Sequence, residues 1–214
     1  MKSPIRHSAL ALITASISIV GLSACDKDVS DAINHPGEAV RNSELLHTFT
    51  QSACNTTAAP MVVLAPTYKI TYDFNTTGVT RTNTYFSDTN CATPITKVKY
   101  EGTYVKGDPT TANVFQLNLH YSNVLVTGTS DAGITALKAF GLGFCGHKDW
   151  AINAAVDVSA DSRDATCPLE NLPEDLYDIY TVDGNALYFG TGADRTTAAN
   201  RSTEIDRSQP YQQE

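Results

Sequence analysis

From residue 60 onward the chain is written largely in a period of two, and that pattern leaves few folds open. Tyr68, Ile70, Tyr72 and Phe74 alternate with Lys69, Thr71 and Asp73. Val98, Tyr100, Gly102 and Tyr104 alternate with Lys97, Lys99, Glu101 and Thr103, and Phe115, Leu117, Leu119 and Tyr121 with Gln116, Asn118 and His120. Successive side chains of a strand point to opposite faces, so each run describes a strand with one face buried and one wet. Asn75-Thr76-Thr77-Gly78 supplies turn chemistry between the first run and its partner at 79–86. Further strands are expected through Trp150, Ile152, Ala154, Val156 and Val158. A last hairpin is expected from 177–182 through Asp183-Gly184-Asn185 to 186–190. About seven short strands predict a mainly β domain, either an antiparallel barrel or a curved, lipocalin-like half-barrel.

One or two short helices are expected beside the sheet. Leu45, Leu46 and Phe49 fall on one helical stripe in a segment ending near Cys54. In 131–140, Asp131 stands at the capping position, Ile134, Leu137 and Phe140 recur three apart, and Gly141 follows. The second helix is expected to cover one end of the sheet.

The N-terminus constrains location. Lys2 and Arg6 precede an apolar run at 9–22 that carries no charge, and small residues then lead into Leu22-Ser23-Ala24-Cys25. Basic start, apolar middle and small-residue end are the layout of a secretory signal. A spanning helix needs about 20 predominantly apolar residues, whereas this run is shorter and contains Thr14, Ser16 and Ser18. The box ending in cysteine resembles that of bacterial lipoproteins. The resemblance implies that Cys25 is acylated, becomes the first mature residue and tethers the protein to a membrane of the cell envelope, facing the periplasm or the exterior. Several acyl tails at about 0.8 kcal/mol per buried methylene make such an anchor effectively permanent. The expected organisation is a signal at 1–24, a lipidated spacer at 25–42, a β-domain at 43–190 and a polar C-terminal tail at 191–214.

Charge and cysteine usage fit that setting. Without Lys2 and Arg6, the 15 basic residues become 13 against 23 acidic ones, a balance of −10. Such a surface argues against nucleic acid and against electrostatic attachment to anionic lipid. Cys54, Cys91, Cys145 and Cys167 are an even set in a chain expected to leave the cytosol, which predicts two disulfides. Three connectivities are possible; Cys54 with Cys91 and Cys145 with Cys167 is favoured because each pair brackets a local segment. Each bridge would stabilise the fold by roughly 3 to 4 kcal/mol in the chain-entropy picture. Zinc is disfavoured, since there is no C-x-x-C spacing and His147 alone lies near any of the four. No metal or cofactor is expected.

Motifs that promise chemistry dissolve on inspection. Gly141-Leu142-Gly143-Phe144-Cys145-Gly146 matches G-x-G-x-x-G, but it follows an expected helix, so the glycines read as that helix's exit turn. There is no G-x-S-x-G elbow. A hydrolase would need His120 or His147 within reach of a serine or an acid in a cleft. Asp161, Asp164, Glu170, Glu174 and Asp175 lack the order of a calcium loop and read as a solvated acidic stretch. Tyr72, Tyr100, Tyr104, Phe115, Tyr121 and Trp150 share the inward parity of their strands. They would fill a small barrel, or line an apolar cavity in a wider one.

Tyr85-Phe86-Ser87-Asp88-Thr89-Asn90-Cys91, Tyr100-Glu101-Gly102-Thr103-Tyr104, Cys145-Gly146-His147-Lys148-Asp149-Trp150 and Leu187-Tyr188-Phe189-Gly190, with Arg201-Ser202-Thr203 beyond, occur in that order. Over roughly 66–206 the chain resembles the adenomatosis polyposis coli down-regulated protein (Wnt-antagonist) domain family. The resemblance implies a disulfide-bonded, extracytoplasmic, non-enzymatic barrel. Animal members are membrane-tethered antagonists of a lipid-modified signalling protein and hold apolar ligand in the barrel. This chain is a single short copy on a bacterial tether, so the family's signalling partners do not carry over, whereas apolar ligand binding does as an expectation. The expected function is therefore that of an envelope lipoprotein binding a hydrophobic or amphipathic molecule, a lipid among the candidates, without catalysis. The alternative is a structural or adhesive module acting through a protein partner that the sequence does not identify.

Overall fold

The computed structural model describes residues 44–192 and 194–214; Cys25, the signal and the spacer lie outside these. Ten strands are formed: β1 (Thr48–Gln51), β2 (Asn55–Thr56), β3 (Thr67–Phe74), β4 (Val79–Phe86), β5 (Pro94–Thr111), β6 (Val114–Gly128), β7 (Ala155–Asp157), β8 (Glu174–Asp183), β9 (Ala186–Phe189) and β10 (Tyr211–Gln213). Among the described residues there is one α-helix, α1 (Asp131–Ala139), with three short 3-10 turns. Eight strands close an antiparallel barrel in the order β1-β10-β9-β8-β6-β5-β4-β3 and back to β1, while β2 and β7 pair outside the ring with β3 and β6.

The β3–β4 hairpin shows why the alternation folds as it does. Asn75 Oδ1 accepts the backbone N–H groups of Thr77 and Gly78, each at 2.9 Å, and so fixes the turn and the register. Phe74 then faces Val79, Tyr72 faces Arg81, Ile70 faces Asn83 and Tyr68 faces Tyr85, all on the inner face. β5 and β6, the longest strands, bend where Glu101 pairs with Asn123 but Gly102 with Tyr121. The extra residue, Ser122, shifts the parity of β6, so that Val124 and Val126 face the core just as Leu117, Leu119 and Tyr121 do. A Cβ at Gly102 would lie 1.9 Å from the His120 carbonyl oxygen, so only glycine permits this bend.

Closure depends on the two least regular segments. The stretch expected to be a helix before Cys54 instead forms β1, in which Phe49 pairs with Tyr72 on one side and Gln213 on the other. Two β-branched threonines, Thr48 and Thr50, favour the strand, and tertiary pairing overrides the helical spacing of Leu45 and Phe49, both of which are buried. The stretch expected to be a polar tail carries β10, whose Tyr211 pairs with Leu187 of β9 and Gln51 of β1. Ten strands thus replace the expected seven.

Two smaller expectations also change. Of the strand expected over 150–158 only Ala155–Asp157 is extended, as β7 on β6. Asn153 has φ +59° and turns the chain, and its N–H reaches the Gly128 carbonyl at 2.8 Å. The cap of α1 is Ser130, whose Oγ accepts the Gly133 N–H at 3.2 Å, with Asp131 inside the first turn. The glycines after α1 do form its exit, with the Phe144 N–H returning to the Leu137 carbonyl at 3.0 Å. Both disulfides are present, Cys54–Cys91 and Cys145–Cys167. Among the described residues every cysteine is thereby disulfide-bonded. Among the described residues, no helix is long and apolar enough to cross a membrane.

Candidate functional site

Four rungs of the β3–β4 ladder face inward, and they are not equally covered. Phe74, Val79, Tyr72 and Arg81 are buried, whereas Ile70, Asn83 and Tyr68 are only half-buried. Over this less covered part lies a cavity of about 260 Å³, walled by Met61, Tyr68, Ile70 and Tyr85, with Arg81, Asn83 and Glu170 supplying its polar part. Its coverings are loops held by covalent bonds. Met61 follows β2 and lies seven residues past Cys54, which is bonded to Cys91 in the β4–β5 turn; Glu170 sits three residues past Cys167, which is bonded to Cys145. Val62 and Val63 stand exposed beside the wall residue Met61.

Arg81 is the unusual group. Only 7% of the residue is exposed, and its guanidinium carbon lies 4.1 Å from the centre of the Tyr100 ring and 5.0 Å from that of Tyr121. Burying a cation is costly unless it is paired and hydrogen-bonded. Here Nη2 donates to Glu170 Oε1 at 3.2 Å, with Glu174 Oε2 at 3.8 Å. Burial works against the charge, but the Glu170 carboxylate and the surrounding tyrosines outweigh it and hold Arg81 well above its ordinary value. The other carboxylate oxygen of Glu170 accepts the Tyr100 hydroxyl. Arg81 Nε, Asn83 Oδ1 and Thr57 Oγ1 are buried without hydrogen-bond partners, and all three residues line the cavity.

The groups around Arg81 are tuned by the same burial. It raises the Glu174 carboxyl, and Arg81 only partly opposes the shift. It also pushes the Tyr85 hydroxyl up to about 12. Further along the interior Asp178, likewise raised by burial, accepts the N–H groups of Ile179 at 2.8 Å and Gly190 at 3.1 Å and is paired with Arg195. The acidic stretch read as solvated is divided: Glu174 is half-buried, Glu170 stays exposed while its carboxylate reaches Arg81, and Asp164 stays at the surface, held below the usual carboxylate range by the Thr166 backbone N–H and hydroxyl.

The aromatic residues singled out from parity lie in different surroundings. Tyr72, Tyr100, Tyr121 and Trp150 are buried in the packed core, Tyr100 reaching the site through its hydroxyl. Tyr104 borders a crevice of about 110 Å³ beside His120 and Asp175. Phe115 borders a cleft of about 370 Å³ at the β5–β6 turn, with Glu44, Asn113 and Val182. That cleft is larger, but it contains none of the unpartnered buried polar atoms that mark the Arg81 cavity. The sequence reading missed Arg81, Asn83, Tyr68 and Tyr85. The available signal was the parity of β4, which places a charge and an amide on the same face as Val79 and Tyr85.

His120 Nδ1 lies 2.7 Å from Asp175 Oδ1, and His147 Nε2 lies 2.9 Å from Asp161 Oδ2. Both are pairs with substantial solvent exposure. His120 is in register with Thr103 and Asp175 on the outer face of β5, β6 and β8. Among the described residues, no three His, Cys, Asp or Glu side chains come together to hold a metal ion. No known family model matches this chain, and no curated protein matches it.

Proposed function

We propose that this protein is a membrane-anchored lipoprotein of the cell envelope whose barrel binds an amphipathic small molecule in the cavity over Arg81. The observation that carries the reading is a set of apolar walls meeting buried, unpartnered polar atoms inside a disulfide-braced barrel. Ligand pockets combine those two features, and three of the buried side-chain atoms without partners, on Thr57, Arg81 and Asn83, belong to residues that line this one cavity, each calling for a partner that a bound ligand or water would supply. The box at Leu22-Ser23-Ala24-Cys25 supports the anchor, and two disulfides suit an oxidising compartment. The resemblance of residues 66–206 to a family of apolar-ligand barrels points the same way. Binding without catalysis is favoured because both histidine–carboxylate pairs lie toward solvent rather than in the cavity.

Native mass spectrometry of the full protein, extracted from its own membranes in detergent, tests the binding reading. A bound mass beyond that of the acyl modification is expected; a ligand-free spectrum under conditions that keep the barrel folded overturns it. Palmitate labelling that disappears in Cys25→Ser tests the anchor. A second reading, a structural or adhesive module, is favoured by the dense packing of Tyr72, Tyr100, Tyr121 and Trp150. It predicts crosslinks from exposed strand residues to a protein partner and an empty cavity.

A further inference from the structure

We propose that the cavity selects a carboxylate-bearing ligand, and that Glu170 occupies the carboxylate position on Arg81 until the ligand displaces it. The inference rests on the binding reading above and names the ligand's head group. Arg81 is fixed: it projects from the middle of β4 and is held against the Tyr100 and Tyr121 rings. Glu170 is not fixed in the same way. Its side chain is 44% exposed against 9% for that of Arg81, so the carboxylate reaches the cation from the solvent side. It comes from the arch Pro168-Leu169-Glu170-Asn171, which spans the buried Cys167 and Leu172. Cys167 is tied by its disulfide, and Leu172 donates its N–H to Ser162 Oγ at 3.1 Å while its carbonyl accepts Arg163 Nε. A change of rotamer at Glu170 therefore releases Arg81 from this carboxylate while both ends of the arch stay in place, with Glu174 still 3.8 Å from Nη2.

The geometry of the pair gives an incoming carboxylate the advantage. Glu170 takes only Nη2 of the guanidinium, and Nε remains buried and unpartnered. Nε and Nη2 form one edge of the guanidinium fork, which a free carboxylate engages with both oxygens, whereas Glu170 spends its second oxygen on Tyr100. Glu174, at 3.8 Å from Nη2, adds negative charge beside the site and disfavours a dianionic head. Ile70, Met61, Tyr68 and Tyr85 supply the wall for a short alkyl or aromatic tail. A planar monoanion with a small apolar tail satisfies all of these.

Hexanoate and hexan-1-ol share a tail and differ in the head, so calorimetric titration of the detergent-purified full protein with each reads the head group directly. Hexanoate is expected to bind at least about tenfold tighter than hexan-1-ol, as a charge-assisted two-point contact implies. Glu170→Gln weakens the internal competitor and is expected to tighten hexanoate by roughly tenfold while leaving hexan-1-ol unchanged, because a ligand's apparent affinity falls with the fraction of sites open to it. Arg81→Met is expected to erase the preference; should it not fold, the Glu170→Gln comparison decides alone. Hexan-1-ol binding as tightly as hexanoate overturns this inference and leaves the cavity reading standing. So does hexyl phosphate binding more tightly than hexanoate. Unchanged or weakened hexanoate binding in Glu170→Gln, or no binding of either probe, also overturns it. Failure of the binding reading itself is read separately, from the ligand-free native spectrum.

Discussion

The two halves of the β3–β4 ladder are made of the same kinds of residue and end in opposite conditions. Toward the turn, Tyr72 and Phe74 meet side chains from distant strands: Tyr72 lies 4.8 Å from Phe189 and 5.4 Å from Tyr211 between ring centres, and Phe74 lies 5.2 Å from Tyr104. Away from the turn, Tyr68 has Tyr85 as its ring neighbour at 5.9 Å and otherwise faces the cavity. Strand parity puts both halves inside, and what stands opposite decides between core and site. The β9 and β10 aromatics fill the space over one half, whereas the other receives a pinned loop and a single carboxylate.

The contrast is sharpest in stability. Phe189→Ala should cost about 3 to 5 kcal/mol, as large-to-small changes at buried aromatics do, whereas Tyr68→Ala should cost well under half of that. Urea unfolding followed by tyrosine fluorescence measures both, and equal losses would erase the distinction. Replacing Cys54 and Cys91 by serine should remove roughly 4 kcal/mol and loosen the neighbouring segment that carries Met61, seen as a larger rise in amide exchange at 57–66 than in β9.

The acid groups sharpen it further. Burial raises Glu174, so the folded state binds its proton more tightly than the unfolded state does. Stability must then fall as pH rises from the ordinary glutamate range through the raised value. Glu174→Gln should lack this component, so its stability relative to the parent should improve as pH increases across that window and match the parent below it. Asp178 adds a decline of the same sign, so the slope difference between parent and Glu174→Gln isolates the residue beside the cavity. The smallest effect is expected on the outer wall. His120→Ala should stay within about 0.5 kcal/mol, as exposed pairs contribute little, and a much larger loss would mean that the His120–Asp175 pair serves more than the surface.

How much of this was readable beforehand follows from which interactions are local. The β3–β4 and β8–β9 hairpins were legible because alternation and turn residues adjoin each other in the chain. The disulfide pairing was legible for the same reason, each bridge spanning a short stretch. β1 and β10 were not, because Tyr211-Gln212-Gln213 offers one inward side chain and is extended only by neighbours more than twenty residues away in sequence. Leu45 and Phe49 point to a helix on spacing alone, and pairing with Tyr72 overrules it. Arg81 escaped notice because a charge in an alternating strand reads as the wet face. Its partner Glu170 comes from a loop 89 positions away, a relation that no local pattern encodes.

The seam between β1 and β10 orders events in time. Phe49 is made early and waits for Gln213, and Gln51 for Tyr211, so the ring stays unsealed through the synthesis of every other strand. A sheet that lacks β10 leaves β1 and β9 bare along the seam, two edges open to pairing with a neighbour.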